Sequence, residues 1–140
     1  MTGKTLIEDK IERLVELLEK LKDVLFEWEK NQKLKEFLFY AAEKKAEEVV
    51  ELAVSINQEV LKQRGKVSLS YYESFTQLSI FKKFSLRELD ELARTAGFRN
   101  RLAHEYLDID EFIAIRTMQK MLKIYPNYLT KIKKIISSKN

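Results

Sequence analysis

One run of eight residues, Arg99-Asn100-Arg101-Leu102-Ala103-His104-Glu105-Tyr106, gathers the side chains best suited to chemistry. His104 is the only histidine of the chain, and there is no cysteine. A proton shuttle working near neutral pH on an unperturbed side chain therefore has one candidate. Arg99 precedes it by five positions and can grip a phosphate or a developing negative charge through its planar fork. Tyr106 follows it by two and carries a hydroxyl open to modification. On spacing alone, a capping or surface histidine accounts for His104 as well as a functional one does. Tyr106 reads first as a core or rim aromatic.

The elements that must position these residues are helices. Three glycines and one proline in 140 residues disfavour a turn-rich β fold. Hydrophobic residues make up 45%, enough for a core, and charged residues 34%, enough to solvate its outside. The size fits one domain spanning 1–140. A net charge of +4 permits a polyanionic partner without requiring one. The absence of cysteine excludes disulfides and thiolate zinc sites and fits a reducing cytoplasm. The N-terminal stretch alternates charged and apolar residues, unlike a signal peptide. No window approaches the ~20 apolar residues that span a bilayer, so no membrane partner is expected.

Ile7, Ile11, Leu14, Leu18, Leu21, Leu25 and Trp28 form an apolar seam at alternating four- and three-residue steps, predicting a first helix that ends at Lys30-Asn31-Gln32-Lys33. Leu38, Ala42, Ala46, Val49, Ala53, Ile56 and Val60 mark one face of a second, which Gly65 terminates. Ser70-x-x-Glu73, Ser85-x-x-Glu88 and Asp108-x-x-Glu111 have capping-box spacing. They predict a short helix through Phe75 and Leu78, a medium one through Leu86, Leu89, Leu92 and Ala96, and a long last one through Ile115, Met118, Leu122, Tyr125, Leu129, Ile132 and Ile136. Pro126 should kink or break that last helix near Tyr125, and the basic tail 131–139 should fray. The predicted architecture is an all-α, up-and-down four-helix bundle with an additional short helix.

On the motif helix, with Arg99 at zero and about 100° per residue, Leu92, Ala96, Leu89, Ala93 and Leu86 fall between about 20° and 140°. Ala103, Asn100 and His104 continue that arc at about 40°, 100° and 140°. A face that is apolar for three turns thus becomes polar. Burying such groups without partners is costly. The helix ends there, or the groups form a satisfied network, or the face emerges into a cleft, one that two subunits could share. On the opposite side Arg87, Arg94 and Arg101 recur every seven residues beside Asp90, Glu91 and Glu105. A solvated, charge-paired surface accounts for them better than an RNA track.

Arg99-Asn100-x-x-x-His104-x-Tyr106 resembles the R-x4-H-x-Y motif of HepT-like proteins, a branch of the HEPN superfamily. The resemblance extends over the alanine-rich segment 41–46, the segment 70–78 and Ile109-Asp110. It implies a HEPN-type homodimer in which two motifs face each other across a cleft. It also implies a metal-independent endoribonuclease, without cofactor, acting as the toxin of a toxin–antitoxin pair. The partner would be an MntA-type minimal nucleotidyltransferase that transfers AMP from ATP onto the motif tyrosine. Carried over, the catalytic residues are Arg99 and His104, Asn100 supports them, and Tyr106 is the site of AMPylation. The expected RNA products are a 2′,3′-cyclic phosphate and a 5′-hydroxyl. Two other readings stay open: a catalytically inactive nucleotide-binding or scaffold subunit partnering a nucleotidyltransferase, and a helical adaptor that uses its heptad seams.

Overall fold

The computed structural model describes residues 5–104 and 109–138. These form α1 (Leu6–Lys30), α2 (Lys35–Lys62), the short α3 (Tyr71–Thr76) running into a 3-10 turn (Gln77–Phe81), α4 (Leu86–His104) and α5 (Glu111–Ser137). All seven seam residues of α1 are buried, and Leu17 joins them. Side-chain bonds between helices set the directions. Lys10, early in α1, donates to Ser55 late in α2 (2.7 Å), and Lys35 at the start of α2 donates to the Trp28 carbonyl near the end of α1 (2.6 Å). These helices are therefore antiparallel. Glu88, in the first turn of α4, accepts from Asn127 (2.8 Å) and Lys131 (2.6 Å) of the second half of α5, so α4 and α5 are antiparallel too. Arg99 near the end of α4 meets Glu51 in the middle of α2. The result is an up-and-down bundle in which the end of α4 and the starts of α2 and α5 share one end.

The caps explain where most helices begin. Thr5 and Glu8 form a full capping box, as do Ser85 and Glu88. Ser70 accepts from the Glu73 N–H, while the Glu73 carboxylate reaches one residue further back, to Leu69 N–H (2.7 Å). The last helix departs from expectation: Asp110, not Asp108, caps it, accepting from Phe112 and Ile113 N–H. Asp108 lies outside the described residues. Gly65, at φ +71°, closes α2 with bonds from Gly65 N–H to Lys62 and from Lys66 N–H to Leu61, a Schellman arrangement that needs the left-handed region.

Two expectations about α5 are corrected. Of the kink or break expected at Pro126, the break does not occur: the helix continues to Ser137. The proline ring lies on the exposed side, where water can bond the carbonyl that its missing N–H frees, while Tyr125, Tyr128 and Leu129 bury the opposite face. The basic tail does not fray through 131–137, because Ile132 and Ile135 are buried in the common core. A polar network crosses that core. Tyr128 donates to Asn57 (2.6 Å), Asn57 donates to Ser74 (3.2 Å), and Ser74 donates to the Tyr71 carbonyl (2.8 Å). Tyr125 pairs with Thr95 (2.8 Å). Every member is partnered, so the network ties α2, α3, α4 and α5 together without an orphaned group. Burial pushes both tyrosine hydroxyls above their ordinary range, so both stay protonated donors.

Candidate active site at the end of α4

Arg99–His104, the described part of the motif, form the end of α4. Leu89, Leu92, Ala93 and Ala96 are buried, as their arc requires. Leu86 is not: it is 81% exposed, although Glu88 of the same turn bonds α5. From Thr95 onward the buried stripe swings to Thr95, Phe98 and Leu102, at about 320°, 260° and 300° on the scale that puts Arg99 at zero. That rotation releases the motif face. Asn100 and His104 are exposed, Ala103 is half-buried and Arg99 is mostly covered. Two of the three ways to accommodate a polar continuation of the core stripe are observed together: Arg99 is covered and partnered, while Asn100 and His104 emerge from the core.

Arg99 is held on three sides. Its Nη2 and Nε both donate to one oxygen of Glu51 (2.6 and 3.2 Å), and its Nη1 donates to Asn100 Oδ1 (3.3 Å). The guanidinium carbon stands 5.0 Å from the centre of the Tyr71 ring, within cation–π range. The hydrogen bonds that Arg99 donates to Glu51 outweigh desolvation and raise its already high pKa. Glu51 belongs to a row, Glu43, Glu47 and Glu51, spaced one turn apart on α2. Burial first, then the neighbouring Glu47 and Glu111, raises the Glu43 carboxyl above its usual value. Arg99 is thus a clamped cation on an acidic wall.

His104 is the last described residue of α4, exposed, and its side chain makes no hydrogen bond to the described residues. The structure brings Arg99 and Asn100 together but not Arg99 and His104: on a straight helix the two are about 7.5 Å apart along the axis and about 140° apart around it. Tyr106 lies outside the described residues. The residue that sequence reasoning missed is Glu51; its place in a row of glutamates one turn apart is also what a solvated helix face shows, so the sequence carried no distinct signal for it.

Residues 7–135 match the family described as Ribonuclease HepT-like. This chain belongs to that family. A curated HepT-like relative, "tRNA nuclease HepT" of Aphanizomenon flos-aquae (strain 2012/KM1/D3), is 31% identical over 85 residues, covering 60% of this chain. The match spans 58% of that relative, less than two thirds of its length. Among solved structures, the tri-AMPylated Shewanella oneidensis HEPN toxin in complex with MNT antitoxin superimposes with a TM-score of 0.81 over 96% of this chain and 99% of that one. At 20% identity this similarity speaks for the fold: the helices of this HepT-like chain are arranged as a HEPN bundle.

Proposed function

We propose that this HepT-like protein is the toxin of a toxin–antitoxin pair, a cytoplasmic, metal-independent endoribonuclease with a composite site at a homodimer cleft. Arg99 and His104 are its catalytic residues and Asn100 supports them. Its antitoxin is an MntA-type nucleotidyltransferase that silences it by AMPylation of Tyr106. The observation that carries this reading is the release of the motif face from the core. A charged and polar surface that α4 turns outward, with its arginine already clamped, is what a site for a phosphodiester requires.

RNA supplies its own nucleophile, the 2′-hydroxyl. Attack on the adjacent phosphorus needs a base for the hydroxyl proton, an acid for the departing 5′-oxygen, and a cation on the crowded phosphate. His104 is exposed and free to exchange a proton with substrate, and Arg99 supplies the cation. One histidine per chain leaves separate acid and base roles to two copies. The divergence of Arg99 and His104 along one helix favours the same conclusion. So do the apolar side chains at this end of the bundle: Phe37, Tyr40 and Phe112 are 70%, 61% and 74% exposed. Such a rim is suited to burial against a second copy. In AMP transfer the Tyr106 hydroxyl would attack the α-phosphorus of ATP and release pyrophosphate. The product places bulk and a negative phosphate near the motif, where it competes with RNA.

The test compares cleavage of total tRNA by wild type and His104→Ala, with and without the nucleotidyltransferase and ATP. Cleavage by wild type alone, lost in His104→Ala and suppressed by partner plus ATP, is expected. A folded wild type that cleaves no RNA, or a Tyr106→Phe variant still silenced by AMP transfer, overturns it.

A further inference from the structure

We propose that the α4–α5 face, away from the acidic row of α2, is a track for an RNA phosphate backbone that leads to the motif; the proposal rests on the nuclease reading and extends it to where substrate lies. Two adjoining grooves make the track. The first, about 550 Å³, runs between α4 and α5, with Arg94 and Arg101 on one wall, Lys120 on the other and Tyr72 at its side. The second, about 430 Å³, carries Arg116, Lys120 and Lys123. Thr117 and Lys120 belong to both, so the two are continuous. Five cations face Glu91 as the one carboxylate lining them.

The charge on this face is only partly neutralised. Arg94 pairs with Asp90 (3.0 Å) and Lys120 with Glu91 (3.3 Å). Arg101, Arg116 and Lys123 are exposed and make no ion pair among the described residues. An outer basic stripe read from α4 alone as charge-paired is therefore completed by α5 into a surface with net positive charge. The groove widens at Gly97, where nothing lies within 4 Å of the place a Cβ would occupy. Tyr72, 48% exposed, offers a ring on which a base can stack. Arg101 connects the track to the motif through His104, since on α4 the two lie about 60° apart around the axis, while Arg99 faces the other way. A polyanion fits this chemistry better than a protein does. Protein interfaces are depleted in lysine, and here Lys120 is shared by both grooves.

The probe is a fluorescein-labelled 2′-O-methyl oligoribonucleotide, which lacks the attacking hydroxyl and stays intact. Its anisotropy is titrated over a range of KCl concentrations with wild type, with Arg101→Gln/Arg116→Gln/Lys123→Gln, and with a control, Lys20→Gln/Lys22→Gln on α1. The track variant is expected to bind at least about tenfold more weakly. Its salt slope should be shallower by about 2, because each single-strand phosphate left unneutralised removes about 0.7 from the slope. The control should keep the wild-type slope. Equal behaviour of track variant and control overturns the proposal. So does a track variant that binds RNA normally but no longer captures the nucleotidyltransferase, which would make this face a protein-docking surface. Because the probe is never cleaved, this result is separable from the nuclease reading, which fails only if wild type leaves natural RNA intact.

Discussion

A guanidinium cannot shed its charge, so Arg99, with 18% of its side chain exposed, is stable at the bundle surface only with partners that keep it solvated. Glu51 provides two hydrogen bonds, Asn100 one, and the Tyr71 ring a face. The same bonds fix the guanidinium plane that would receive a phosphate. Glu51 is then a positioning residue. Glu51→Gln is expected to lower kcat for RNA cleavage about tenfold while KM changes less than about twofold, because a misaimed cation costs more at the transition state than in binding. Arg99→Lys, which replaces the fork by a point charge, should cost about 100-fold or more in kcat. A Glu51→Gln enzyme altered only in KM would refute the positioning role. The polar break that Arg99, Asn100 and His104 make in an apolar arc was legible in the sequence. Glu51 was not, because a glutamate among glutamates looks like solvated helix until a cation is seen facing it.

Helices were legible wherever one strong periodicity had one answer. All seven residues of the α1 seam are buried, and on α2 only Leu38 of the seven-residue face is less than fully covered. What failed, at the start of α4 and in the middle of α5, is decided by neighbours rather than by periodicity. Leu86 keeps the helical phase but, as the first residue of α4, stays exposed. Pro126 breaks a rule of isolated helices, yet the tyrosines beside it anchor α5 on both sides of the missing bond. The anchoring network yields a stability prediction. Tyr128→Phe removes the donor to Asn57 Oδ1 and the Ala53 carbonyl in a fully buried setting, so unfolding free energy should fall by about 1–3 kcal/mol in denaturant titration. A second prediction concerns the α4–α5 contact. The hydrogen bond from Lys131, followed by that from the Ser85 backbone, holds the Glu88 carboxyl at about 2 instead of 4.5. A depressed folded-state value stabilises the fold above the unfolded-state value and loses that stabilisation as pH falls toward the folded one. Glu88→Gln should therefore cost roughly 1 kcal/mol at neutral pH, the pair being partly solvent-screened. The Tm deficit should close between about pH 4.5 and about pH 2. A deficit that stays constant across that window would show that the charge is not what Glu88 contributes.

The molecule as a whole separates its surfaces by chemistry. The acidic row of α2 clamps Arg99, the α4–α5 face carries unneutralised cations, and the end formed by the starts of α2 and α5 exposes large apolar side chains next to the motif. A second copy covering that end would bring two motifs together and place two His104 side chains in one cleft. This has a consequence for subunit mixing. If each chain cleaves independently, refolding wild type with an equal amount of His104→Ala should leave about one half of the activity, whatever pairs form. If one histidine acts as base and the partner's as acid, only dimers with two intact chains work, and random pairing leaves about one quarter. The expected course is therefore a square-law decline of RNA cleavage with the wild-type fraction, measured after co-refolding over several mixing ratios. Sedimentation of each mixture should give the same dimeric species throughout. A linear decline with dimers present would assign acid and base to a single chain and remove the catalytic reason for dimerisation. A monomer with full activity would remove the composite site altogether.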